Sequence, residues 1–264
     1  MLPKIALCNI LEDLEELKLF AIKFNFQGID WSFELDKLPE TPAQESLWAR
    51  NQEILTPLEV RYHCPFKKID IGSDDPENAK EAGKIFRRII MLISKVGGNF
   101  LTIHIGLGHS STEPLSWDTT IASLRDLVQF GVKHGVRVCL ENLAWGWTSK
   151  PNLFEKLIRQ SGSGVTLDIG HAFVSEAILN QQYNIEDFAT PHADRVFNTH
   201  IYHSEIEGKG HCPPSDILEI KDRLALIKEI GCTWWAIEIK EKDKLLQTKK
   251  IIDEFLTNTN SPDN

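Results

Sequence analysis

No stretch of this 264-residue chain approaches the roughly 20 consecutive apolar residues that a membrane-crossing helix needs. Its opening, MLPKIALCNILEDLEE, lacks the basic start and small-residue cleavage site of a secretory leader, so the expected compartment is the cytoplasm. There is no C-x-x-C pair. The five cysteines (Cys8, Cys64, Cys139, Cys212, Cys232) are odd in number and widely spaced, which argues for core thiols and against zinc ribbons or dithiol redox work. Positive charge is also short: 29 Lys and Arg against 38 Asp and Glu leave a formal charge of −9. A broad nucleic-acid-binding face needs clustered cations to neutralise phosphate, so nucleic acid is not expected as a partner. Repeats and low-complexity linkers are missing, and no Gly-rich dinucleotide turn follows the first apolar run.

What is present is alternation. Eight apolar runs rich in β-branched and aromatic residues have the length of buried strands: 4–10, 28–34, 59–65, 100–106, 135–142, 164–171, 195–203 and 234–240. Between several of them the apolar spacing is helical, at Leu11 to Phe24, Ile85 to Val96, Leu124 to Val128, Leu153 to Ile158 and Leu218 to Ile230. Glycines at 97–98, 135, 162 and 231 fall where helices should stop. Helix starts are expected at Ser73-Asp74-Asp75-Pro76 and at Ser149-Lys150-Pro151. Alternating strands and helices call for a parallel sheet covered by helices, and eight units of about 33 residues match a closed (β/α)8 barrel. The expected organisation is one α/β domain over 1–256 with a frayed tail at 257–264.

Polar residues cluster at the ends of the otherwise dry runs: His63, His104, Glu141, Asp168, His171, His200, His203, His211 and Glu238. In such a barrel, catalytic groups come from strand C-termini and the loops that follow. Glu141, Asp168, His200 and Glu238 come from four successive strands. Three carboxylates and one imidazole form an oxygen-rich set suited to Mn²⁺, Mg²⁺ or Co²⁺, and without a cation the carboxylates would repel one another. Any one of the four alone could equally be a loop-anchoring group.

The segments LEN (140–142), LDIGH (167–171), NTHIYH (198–203) and AIEIK (236–240) resemble the sugar isomerase and epimerase group with the xylose-isomerase-like barrel. The resemblance implies a divalent metal held by Glu141, Asp168, His200 and Glu238, with His171 touching the substrate. It also implies that Glu141 and Glu238 are the catalytic acid/base pair, moving a proton beside a carbonyl through a metal-stabilised enediolate. The expected substrate is a sugar, sugar phosphate or sugar acid; a metal-dependent dehydratase of a polyol or keto acid is the nearest variant.

The same barrel carries endonuclease IV, and likeness to that enzyme implies a multi-zinc site in which His63 and His104 join Glu141 while His171 and His211 hold a further Zn²⁺. Two departures favour the small-molecule reading. Lys209 stands where that nuclease has an aspartate ligand, and LEN is followed by Ala144-Trp145-Gly146-Trp147 rather than a polar turn. Under the small-molecule reading His63, His104, Trp31 and Trp145 are candidate substrate-binding residues, with Trp147, Glu34, Lys67, Lys68, Lys209 and Lys240 as further pocket candidates. Trp234 and Trp235 are expected to be structural. Oligomeric state is left open, a homo-oligomer included.

Overall fold

The computed structural model describes residues 2–65, 69–107, 111–206 and 208–259. Eight parallel strands close into a barrel: β1 (Lys4–Cys8), β2 (Gly28–Ser32), β3 (Glu59–His63), β4 (Phe100–Ile103), β5 (Arg137–Glu141), β6 (Gly164–Asp168), β7 (Val196–Ile201) and β10 (Trp234–Ile237). Each pairs with the next, and β1 pairs with β10 to seal the ring. Between β7 and β10 lies a small antiparallel hairpin, β8 (Ser204–Ile206) and β9 (Gly210–Cys212). The strands stop earlier than the apolar runs do, most clearly at 168, where the chain turns directly into a helix.

Nine helices are assigned among the described residues: α1 (Leu14–Lys23), α2 (Pro42–Glu53), α3 (Pro76–Lys95), α4 (Trp117–Lys133), α5 (Pro151–Ser161), α6 (Ile169–Val174), α7 (Glu176–Leu179), α8 (Lys221–Glu229) and α9 (Lys242–Asn258). The start of α3 shows how sequence sets a boundary. The Asp75 side chain accepts from Glu77 N at 3.0 Å, and Pro76 occupies the first turn, where its missing N–H has no intrahelical role. From there Ala79, Ala82, Phe86, Ile89, Ile90 and Ile93 form a buried stripe at helical spacing. Each large side chain in it contributes about 1.5–3 kcal/mol by burial. The expected stops hold, because Gly97, Gly135, Gly162 and Gly231 all take positive φ beyond helix ends.

Several expectations need correction. Ser149 does not cap α5: Lys150 holds that position without a side-chain hydrogen bond, and the Ser149 hydroxyl donates to Gly146 O instead. Leu218 lies in a single 3₁₀ turn and is 80% exposed, so it belongs to no apolar stripe. Thr257 and Asn258, expected in the frayed tail, form the last turn of α9, and the Thr257 hydroxyl donates to Asp253 O. Helices α2 and α9 had no counterpart among the helical stretches read from the sequence. No helix is long and apolar enough to cross a membrane among the described residues.

Candidate metal centre

Glu141 and Asp168 are the last residues of β5 and β6, His200 is the fifth residue of β7, and Glu238 follows β10 directly. All four are buried, and one ligand atom from each lies within 4.8 Å of the others. His200 Nδ1 sits 2.9 Å from Glu141 Oε1, 3.4 Å from Glu238 Oε1 and 4.0 Å from Asp168 Oδ2. The four residues thus meet as the barrel geometry requires, at the C-terminal end of the strands.

Local chain direction explains the Asp168 position. Its Oδ1 accepts from His171 N at 2.6 Å and caps α6, while Oδ2 is buried and accepts no hydrogen bond. Asn142 ties β5 to β6: its Nδ2 donates to Asp168 O at 2.8 Å, and its Oδ1 accepts from Asp168 N at 2.9 Å. His171, expected at a strand end, is instead in the first turn of α6. Gly170 beside it lies against the Tyr202 ring, which a Cβ there would meet at 2.2 Å.

A second set of imidazoles surrounds this group. His63 Nε2 and His104 Nε2 lie 3.0 and 2.8 Å from Glu141 Oε2. His171 Nε2 lies 3.2 Å from Glu205 Oε2, and His171, Glu205 and His211 offer ligand atoms within 4.8 Å of one another. Glu205 and His211 are cross-strand partners in the β8–β9 hairpin. The Nδ1 atoms of His63, His171 and His211 lie 2.9, 3.1 and 2.9 Å from the main-chain oxygens of Cys64, Asn142 and Glu238. A carbonyl only accepts, which assigns the proton to Nδ1 in each. A neutral ring then turns its Nε2 lone pair outward, and in His63 and His171 that lone pair faces a carboxylate, which is also an acceptor. Either a second proton or a cation must lie between them.

The electrostatics are consistent with that conflict. Burial works against charging these rings. The Cys64 thiol and Glu141 nevertheless hold His63 well above the usual imidazole range, and Cys64 with Glu141 carries His104 up to about 8. His171, buried but beside Asp168 and Glu205, rises to about 9. His200 is likewise well raised by Glu141 and Glu238 against the effect of burial. Burial, together with Glu141 and Glu238, lifts Asp168 to about 6 against the pull of His171. Glu141 is held well below the carboxylate range, its burial outweighed by His200 and His104. Without a cation, protons occupy the places between imidazole and carboxylate.

Residues 19–257 match the family described as a xylose isomerase-like TIM barrel. The chain belongs to this family. An uncharacterized protein of Methanocaldococcus jannaschii is 28% identical over 197 residues, covering 75% of this chain and 80% of that one. A D-tagatose 3-epimerase-like protein superposes with a TM-score of 0.72 at 19% identity, over 97% of this chain and 98% of that one. Endonuclease IV from Thermus thermophilus superposes with a TM-score of 0.67 at 12% identity, over 97% and 100%. At these identities the two structures establish the shared fold.

Within this xylose isomerase-like barrel the donor set fits a divalent metal. Asp168 Oδ2 is buried and accepts no hydrogen bond; it lies 3.2 Å from His171 Nδ1 and 4.0 Å from His200 Nδ1 and shares the site with two further carboxylates, an arrangement that a cation would stabilise. Sequence reasoning missed Asp30, Cys64, Asn142 and Glu205. Asp30 is 2% exposed on β2, with Oδ2 3.8 Å from His200 Nε2, and Cys64 Sγ lies 3.6 Å from His104 Nδ1.

The other expected pocket groups differ in exposure. Glu34 is exposed and paired with Lys37 at 3.0 Å, and Lys209 and Lys240 are exposed. Lys67 and Lys68 lie outside the described residues. Trp147 packs edge-on against Trp117, with ring centroids 5.1 Å apart, and Trp234 and Trp235 are fully buried as expected. Trp31 is half-buried and packs against the main core, while half-buried Trp145 lies beside Gly106.

Proposed function

We propose that this protein is a divalent-metal-dependent isomerase or epimerase acting on a sugar, sugar phosphate or sugar acid. The observation that carries this reading is the convergence of Glu141, Asp168, His200 and Glu238 within 4.8 Å at the C-terminal end of the barrel. Family membership and the D-tagatose 3-epimerase-like neighbour support it. These four residues would hold the metal. A divalent cation held there would stabilise negative charge developing on neighbouring substrate oxygens, with Mn²⁺, Mg²⁺ or Co²⁺ suited to three carboxylates and one imidazole.

The residues supply the proton chemistry. Glu141 and Glu238 come from strands on different sides of His200, so a substrate carbon placed between them would meet one carboxylate on each face. One removes the proton beside the carbonyl and the other returns it. His171 would orient substrate oxygens, His63 and His104, whose Nε2 atoms face Glu141 Oε2, would orient that carboxylate, and Trp31 and Trp145 would wall the entrance and exclude water.

The second reading, an endonuclease IV-like phosphodiesterase with a multi-zinc site, is favoured by the added set His63, His104, His171 and His211. Here Glu205 supplies the carboxylate that Lys209 does not. The −9 charge weighs against a DNA partner.

Metal content and proton exchange decide between the readings. The expected result is one Mn²⁺, Mg²⁺ or Co²⁺ per chain and uptake of deuterium at a ketose carbon in D₂O. Glu141→Gln or Glu238→Gln should lower that exchange by at least about a hundredfold while the circular dichroism stays unchanged. Near-normal exchange in either variant removes that glutamate from the mechanism. Two or three zincs per chain with chelator-sensitive cleavage of abasic DNA establishes the nuclease instead.

A further inference from the structure

We propose that Asp30 is a positioning residue that fixes the His200 imidazole so that Nδ1 faces Glu141, Asp168 and Glu238; this rests on the metal-centre reading of that group. Asp30 projects from the middle of β2 and is 2% exposed. Its ion-pair partner among the described residues is His200, with Oδ2 3.8 Å from Nε2. Asp30 Oδ1 and His200 Nε2 are both buried and without a hydrogen bond. A carboxylate in a barrel interior is costly unless it meets positive charge, and an imidazole that gives Nδ1 to a cation has only its Nε2–H left to donate. Each group therefore holds what the other lacks. The separation exceeds the usual N–H···O range by about 0.6 Å, so the pairing is an ion-pair contact and not a formed hydrogen bond.

The carboxylate is itself held from the other side. Trp234 Nε1 donates to Asp30 Oδ2 at 3.2 Å, and the Trp234 indole lies where a Cβ at position 28 would stand, 2.2 Å from the ring. Gly28 therefore admits Trp234, Trp234 anchors Asp30, and Asp30 faces His200. A carboxylate behind a metal-ligating histidine fixes its tautomer and ring orientation and raises its basicity. None of the four residues ascribed to the centre comes from β2, so this strand reaches the metal only through the imidazole.

The test measures Mn²⁺ affinity by chelator competition and the visible spectrum of the Co²⁺-loaded protein. Asp30→Ala should weaken Mn²⁺ binding about 10- to 100-fold and shift the Co²⁺ bands, because the ligating ring loses its orientation. Asp30→Asn keeps an acceptor where Oδ2 stands, removes the charge and puts an NH2 group in place of Oδ1. It should recover the wild-type Co²⁺ spectrum and part of the affinity, and it serves if the alanine variant fails to fold. Trp234→Phe removes the indole donor while leaving the carboxylate in place, and should bind Mn²⁺ more tightly than Asp30→Ala. Either an Asp30→Ala protein with wild-type affinity and spectrum, or equal losses in Asp30→Ala and Trp234→Phe, overturns the proposal. A wild-type protein that binds neither Mn²⁺ nor Co²⁺ overturns both the proposal and the metal-centre reading.

Discussion

The interior of this barrel holds two polar layers, one at each end, built on opposite principles. Toward the N-terminal end Arg61 is 8% exposed and held by three hydrogen bonds. Its Nε donates to Glu59 Oε1 at 2.9 Å, and its Nη1 donates to Phe197 O at 2.7 Å and to Asn198 Oδ1 at 2.6 Å. Its guanidinium lies over the Phe100 and Trp234 rings. Asn198 donates on to Thr166 Oγ1 at 3.1 Å, and the Thr166 and Thr102 hydroxyls meet at 2.7 Å. At the C-terminal end Asp168 Oδ2, His200 Nε2 and Tyr202 OH are buried without a hydrogen bond, as is Asp30 Oδ1 in the middle of β2, and four imidazoles crowd the carboxylates of Glu141 and Glu205. A buried network with every member satisfied fixes one structure; a network left open is kept for something that completes it.

If that contrast is right, removing charge should have opposite signs at the two ends. Arg61→Met breaks a satisfied buried network and should destabilise the protein by about 3–5 kcal/mol in denaturant unfolding. A loss below about 1 kcal/mol would mean that this layer is not held by its ion pair. Asp168→Asn, in metal-free protein, removes one of three crowded carboxylates and keeps a good helix cap for α6. It should raise stability by about 1 kcal/mol and abolish tight Mn²⁺ binding. A destabilised, still metal-binding variant would contradict the open-network account.

The smallest effect is a pH dependence at the closed end. Glu59 is partly buried, which alone would raise its pKa, but the hydrogen bonds and charges of Lys4 and Arg61 hold it below the usual value of 4.5. A depressed folded-state pKa contributes stability that is full above 4.5 and is lost as pH falls through the folded value. The melting temperatures of wild type and Glu59→Gln should therefore differ above pH 5 and converge in more acidic buffer. A difference independent of pH would assign Glu59 a packing role alone.

The barrel and its four convergent residues were legible in the sequence because polar groups end four successive dry runs, which a loop-anchoring role for each one separately does not explain. Glu141 and Asp168 both end their strands, Asp168 three residues before its apolar run stops. Strand ends past 168 were misjudged because Ile169-Gly170-His171 continues the apolar run, while Asp168 caps a helix there. Asp30 was hidden inside a strand, where a single acidic residue among Ile29 and Trp31 breaks no pattern. Glu205 was out of reach for another reason: its neighbour His211 is supplied by hairpin pairing, which two three-residue strands separated by Glu207, Gly208 and Lys209 do not announce. Helix α2 carries only Leu47 and Trp48 as large apolar residues, too few for a stripe. In α9 the periodicity is interrupted by Thr248 and Lys249, which are buried, Lys249 through its 2.6 Å pair with Asp253.

Asp168 divides its two oxygens between tasks: Oδ1 takes the amide of His171, and Oδ2 faces the other carboxylates. One short side chain is thus a joint between scaffold and chemistry. Whatever pulls on the inner oxygen is transmitted through the outer one to the first turn of α6, so filling the centre and setting the angle of His171 become a single mechanical event. A glutamate, longer by one methylene, would separate the two.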